Sequence, residues 1–147
     1  MKVVLVTNDR QLEQALSIRF AVFVDEQGVS ADLEKDEYDE SPESCRHHLL
    51  LDDDGMALAT GRWKLYEPGV AKMQRIAVLK KNRGLGLGKK LLEAMERDAR
   101  MCGIRSSLLD AQCSAEPFYR KLGYETISSE PFLDAGIEHV RMIKPLS

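Results

Sequence analysis

The sequence predicts an α+β fold in which helices punctuate a mostly antiparallel sheet. Strand and helix signals follow one another in the order β-α-β-β-β-α-β-α-β-β. Tight-turn signals, "DDDG" ending at Gly55 and "EPG" ending at Gly69, join the middle strands into a meander. The 147 residues are 44% hydrophobic and 31% charged, the ordinary composition of one domain spanning 1–147, with no repeat, linker or low-complexity stretch.

Each element has its own signal. "KVVLV" (Lys2 to Val6) is short and β-branched, a strand. Asn8 is an N-cap with Gln11 three residues on, and Leu12, Ala15, Leu16 and Phe20 keep helical spacing, so a helix is expected to about Phe23. From Asp32 to Glu43, "DLEKDEYDESPE" carries seven acids and one lysine without apolar period, and reads as a solvated loop. "HHLLL", "MALATGRWKLY" and "VAKMQRIAVL" are the three meander strands. Leu91, Leu92, Met95, Ala99 and Cys102 then form one apolar stripe, closed by Gly103 at C′. "SSLLDA" reads as a buried strand, and "SAEPFYRKLG" as a short helix capped by Ser114 and stopped by Gly123. "YETIS" and "IEHVRMI" close the sheet around "DAG".

Composition excludes several classes of function. A net charge of -3 without a basic stripe argues against a nucleic-acid binder. No apolar run approaches a membrane span of about 18 residues, and "MKVVLVTNDR" is too short in apolar length for a signal peptide. Cys45, Cys102 and Cys113 are an odd count at no framework spacing, which suits free thiols and a cytoplasmic protein. Cys45, His47 and His48 do not make a metal site, because adjacent strand residues face opposite sides and no H-x3–5-H spacing exists.

The chemistry concentrates at Arg83-Gly84-Leu85-Gly86-Leu87-Gly88-Lys89, between a strand and a helix. Two phosphate loops fail on counting: a Walker loop would need Gly where Arg83 stands and Ser or Thr at Lys90, and the dinucleotide fingerprint would need Gly at Lys89. An anion site still fits. Glycines let backbone N–H groups approach a ligand, the following helix aims its free N–H groups at the loop, and Arg83, Lys89 and Lys90 add charge. Lysines in a first turn oppose the helix dipole, so a purely structural turn leaves them unexplained.

The R-x-x-G-x-G pattern after a strand and before a helix resembles the pyrophosphate loop of the GCN5-related N-acetyltransferase (GNAT) family. "AQCSAEPFYRKLGYE" (Ala111 to Glu125) is similar to that family's second hallmark, N-x-x-A-x-x-F-Y-x-K-x-G-F, with Gln112 for Asn and Tyr124 for Phe. "VFVDEQG" (Val22 to Gly28) resembles the ElaA-type small bacterial subgroup. The resemblance covers essentially the whole chain. It implies a three-layer α/β/α form of the α+β fold, with a mixed sheet splayed at the cofactor site and helices on both faces. It also implies transfer of an acetyl group from acetyl-CoA to a primary amine by direct attack.

By the same resemblance, backbone at Ile76, Ala77 and Val78 holds the pantetheine arm. Arg83, Gly84, Leu85, Gly86, Leu87, Gly88 and Lys89 hold the pyrophosphate, with Gln112, Phe118 and Tyr119 completing the cofactor side. Tyr119 matches the general acid, its ordinary pKa near ~10 lying above the ~8.5 of a thiol. A backbone N–H near Val78 would serve the oxyanion. Glu26 and His139 are candidates for the base, against a solvated loop carboxylate and a satisfied core histidine. The partners implied are acetyl-CoA and an amine acceptor, with a second copy of the chain allowed, and with neither nucleic acid, membrane nor metal. A negative rim from Asp36, Asp39 and Glu40 would draw a cationic acceptor. The competing reading is an acyl-CoA-binding sensor module that keeps the loop and lacks the chemistry.

Overall fold

The computed structural model describes residues 1–146. Its strands are β1 (Lys2–Leu5), β2 (Arg46–Leu51), β3 (Ala57–Glu67), β4 (Val70–Val78), β5 (Ser106–Gln112), β6 (Glu125–Thr126), β7 (Phe132–Asp134) and β8 (Ile137–Pro145). Its α-helices are α1 (Asp9–Arg19), α2 (Ala31–Glu34), α3 (Leu87–Met101) and α4 (Glu116–Lys121). One mixed sheet runs β1-β2-β3-β4-β5-β8-β6, with β7 also on β8. Every pairing is antiparallel except β4 with β5.

Helices cover both faces because each has one apolar stripe. On α3, Leu91, Leu92, Met95 and Ala99 pack on Trp63, Met73, Leu109 and Met142. On α1, Leu12, Ala15 and Ile18 pack on Val6, Leu49 and Ala77 from the other side. Truncating a fully buried stripe residue such as Leu91 costs about 2–5 kcal/mol. Asn8 caps α1 as expected, accepting from the Gln11 amide at 2.9 Å, while the Gln11 side chain reaches back to the Thr7 amide. The α-helix ends at Arg19 rather than near Phe23, and the chain continues as a π-helix from Phe20 to Glu26. The wider turn shifts the faces presented by the residues that follow.

Two irregularities open the sheet at its centre. β4 and β5 pair only from Val70 to Met73 against Ser106 to Leu109, and beyond that they separate. In β4, Gln74 pairs with Arg62 and Ala77 with Thr60, so Arg75 and Ile76 together face Gly61. This is a β-bulge, with Arg75 at φ 56 in the left-handed region. At Gly61 an added Cβ would lie 2.7 Å from Met95 Sδ, so any larger residue here displaces the end of that buried side chain.

The acidic segment is not a solvated loop. It folds into α2 and a 3-10 turn at Glu37–Asp39, burying Glu34 and Asp39. Asp39 takes two bonds from Arg19 (2.7 and 2.9 Å) and one from Arg62 (2.8 Å). Asp36 takes two more from Arg62, at 2.7 and 2.6 Å, and Glu34 lies 3.1 Å from Arg19 and 3.3 Å from Arg75. Three arginines thus neutralise three of the seven acids and pin α2 to the bulge. The expected negative rim fails at Asp36 and Asp39; Glu40 alone of that trio is exposed. A smaller correction concerns α4, whose N-cap is Ala115 with no side-chain cap, and whose start is set by Pro117 in the first turn.

Candidate functional site

The gap between β4 and β5 opens into a cleft of about 790 Å³. Its lining brings together Ile76, Ala77, Val78, Arg83, Gly84 and Gly86 from the β4 side. Leu87 and Gly88 begin α3 there, and Gln112, Phe118, Tyr119 and His139 line the opposite side. Leu85, Lys89 and Glu26 stand outside this lining; Leu85 is exposed, and the Lys90 ammonium is engaged by the Met1 carbonyl at 2.9 Å.

The loop presents uncapped backbone amides to the cleft. Gly84 (φ 81) and Gly86 (φ 77) adopt the left-handed conformation with open space where a Cβ would be, so backbone geometry rather than packing requires them. Gly86 is the N-cap of α3 and offers no side chain to the first turn. The first helical bond runs from Lys90 to Gly86, leaving the N–H groups of Leu87, Gly88 and Lys89 without helical acceptors. At Gly88 an added Cβ would lie 3.2 Å from Phe118 Cζ, a tight contact that would push that exposed ring aside by a few tenths of an ångström. Uncapped amides, the positive helix end and open space above them fit a diphosphate.

Val78 faces the gap. The Leu79 N–H bonds to Leu58 in β3, so by strand alternation the Val78 N–H and C=O point away from β3. Arg83 Nε takes that carbonyl at 3.0 Å, and the neighbouring N–H is left for a ligand oxygen.

Tyr119 lies on α4 with its ring edge-on to Phe118 (centroids 5.1 Å) and Tyr124 (5.9 Å). Burial pushes its pKa up to about 12, and no protein group among the described residues takes its hydroxyl. Tyr124, by contrast, donates to Glu96 and accepts from Ser107, each at 2.7 Å. His139 Nδ1 lies 2.7 Å from the Ile137 carbonyl, which can only accept, so Nδ1 carries the proton of the neutral ring and Nε2 keeps a lone pair. Phe132 stacks on the same ring, centroids 6.2 Å apart.

Glu26 is paired with Arg83 through two bonds of 2.7 Å each, which holds its carboxyl below the usual range. A committed, ionised carboxylate is a poor proton acceptor near neutral pH. Beside it, Gln27 and Gln112 hydrogen-bond at 2.8 Å across the gap. Sequence reading left Gln27 without a role, although it belongs to the same "VFVDEQG" stretch. Arg75 was missed as well, since nothing local marks a bulge. Cys113 packs against the α3 core cluster, and no group of metal-ligating side chains occurs among the described residues.

A splayed sheet, a glycine loop on a helix start and a half-buried tyrosine beside them are the frame of an acyltransferase. A family model for the acetyltransferase (GNAT) domain matches residues 9–146, and the chain belongs to that acetyltransferase family. It is 40% identical over 144 residues to the uncharacterized N-acetyltransferase YjcF of Bacillus subtilis (strain 168), covering 98% of this chain and 99% of that one. Its structure is similar to that of an N-acetyltransferase candidate from Lactobacillus plantarum, with TM-score 0.91 and 29% identity over 99% of this chain and 98% of that one. Escherichia coli ElaA shares the fold at TM-score 0.83 and 23% identity, over 97% and 98% of the two chains. No helix among the described residues is long and apolar enough to cross a membrane.

Proposed function

We propose that the chain moves the acetyl group of acetyl-CoA onto a primary amine by direct attack, within a single domain spanning 1–147. The observation that carries this reading is the uncapped start of α3, opening onto the gap between β4 and β5. The loop amides from Gly84 to Lys89 hold the diphosphate, and the β4 backbone from Ile76 to Val78 pairs with the pantetheine arm that replaces β5 there. The Val78 N–H receives the thioester oxygen as it gains charge, a contact worth about 10²–10³ in rate in comparable sites. The acceptor attacks as a neutral amine, His139 Nε2 takes the proton from its nitrogen once the C–N bond has formed, directly or through water, and Tyr119 donates to the departing sulfur.

The acceptor enters from the α2 side. Among the cleft carboxylates Glu34 and Asp110 are paired with cations, whereas Asp134 has no such partner among the described residues. That supports a small cationic amine, on different residues from the acidic segment.

Calorimetric titration with acetyl-CoA tests the donor site. Micromolar binding is expected, and Gly86→Glu should abolish it, because the variant strains a left-handed position and sets a carboxylate among the loop amides. Absence of acetyl-CoA binding to the wild type would overturn the reading.

A further inference from the structure

The end of the π-helix carries two consecutive polar residues that reach opposite lips of the gap. Glu26 holds Arg83, which follows β4 and donates in turn to the Val78 carbonyl at 3.0 Å. Gln27 holds Gln112, the last residue of β5. These are the strands that stop pairing after Met73 and Leu109. The same chain then turns back through bonds from Gly28 to Val24 and from Val29 to Phe23, and leads into α2, whose Leu33 and Glu34 line the acceptor side of the cleft.

Core packing does not explain the two contacts, since Glu26 and Gln27 are both exposed. Donor affinity does not explain Glu26 either. Glu26 occupies the Arg83 guanidinium, a cation the loop would otherwise turn to phosphate, so its position weakens the binding it stands beside. What the pair does accomplish is mechanical: one short segment is tied to both sides of the opening through which a thioester would meet an amine.

We infer that Glu26 and Gln27 are positioning residues that strap the acceptor-side segment, residues 20–35, to both lips of the splayed sheet, so that seating the donor also fixes the wall that receives the amine. The inference rests on the acetyl-CoA reading above. It assigns Glu26 a role distinct from proton transfer.

Hydrogen–deuterium exchange of the full chain with and without acetyl-CoA tests it. In the wild type, acetyl-CoA slows exchange in 83–90 and also in 20–35. In Glu26→Gln/Gln27→Ala the protection of 83–90 persists and that of 20–35 is lost. Gln27→Glu, which keeps the oxygen that accepts from Gln112, restores it relative to Gln27→Ala. Calorimetry on Glu26→Gln gives acetyl-CoA binding about two- to fivefold tighter, the size of an exposed charge contact removed. Mere destabilisation does not produce tighter binding. Protection of 20–35 that survives in both Gln27→Ala and the double variant, or that never appears in a wild type protected at 83–90, overturns the strap. A wild type unprotected at 83–90 overturns the acetyl-CoA reading as well, which separates the two failures.

Discussion

A half-buried tyrosine with its pKa raised to about 12 is a reluctant acid. Passing its proton to a thiolate whose thiol ionises near ~8.5 is uphill by roughly 5 kcal/mol as an isolated step. Tyr119 therefore works best as a hydrogen-bond donor that stabilises sulfur while the ammonium of the tetrahedral intermediate loses its own proton to His139. Tyr119→Phe should lower kcat by about 10²–10⁴-fold and leave the acetyl-CoA Kd within about twofold. The group is needed protonated and its pKa is raised, so its contribution persists up to about pH 12 and fades only above it. Thiol release followed from about pH 7 to about pH 10 should show no alkaline fall. A fall near pH 9 that disappears in Tyr119→Phe would contradict the assignment.

At the scale of elements, α2 is held more by ions than by apolar contact. Arg62 is almost wholly buried and bonds both Asp36 and Asp39. Arg62→Met should cost about 3 kcal/mol, because it removes both close bonds of half-buried Asp36 and leaves buried Asp39 with Arg19 as its one arginine. For a chain of this size that is roughly 10 °C in Tm, and Arg62→Met/Asp39→Asn should recover part of it. Urea melts that leave the midpoint unmoved would rule this account out. The same network marks the limit of sequence reading. The α3 stripe, the left-handed glycines and the Asn8 cap were legible because their causes lie within a few residues. Arg19 finds Asp39 20 positions away and Arg62 finds Asp36 26 positions away, so a polar run that looks solvated can be an interior one. The loop was legible for the same local reason that Gln27, reaching Gln112 85 positions on, was not.

Across the whole molecule, ionised carboxylates join the layers to the sheet and its strands to one another. Asp98 on α3 takes Arg46 at 2.7 and 2.8 Å and the Trp63 indole at 2.9 Å, and Asp110 bridges Lys72 and Arg141. Burial raises each of these carboxyls, but bonds from Arg46 and Trp63 to Asp98, with His48 Nε2 at 3.3 Å, and from Arg141 to Asp110, outweigh it and leave both below the usual range. Asp36 and Asp39 end low by the same balance, against burial, through Arg62 and Arg19 respectively. Groups depressed in the fold give stability that is complete above their unfolded pKa near ~4 and is lost as pH falls below it. Glu34 runs the other way, raised by burial, and offsets a minor part. His47 adds an earlier stage. Burial, helped by the Arg62 and Arg19 charges, lowers its pKa against the opposing pull of the Tyr38 carbonyl on Nε2 and the Asp39 carboxylate, so the unfolded chain takes up a proton first and stability begins to decline near pH 6.5. Unfolding free energy measured from about pH 8 to about pH 2 should fall in two stages, a shallow one from His47 and a steep one below about pH 4. His47→Gln should remove the first stage alone. Asp98→Asn should lower the plateau and flatten the second by up to about one proton, since one of the depressed carboxyls is then gone. An acid limb that keeps its full slope in Asp98→Asn would mean that the layers are held together at that junction by packing alone.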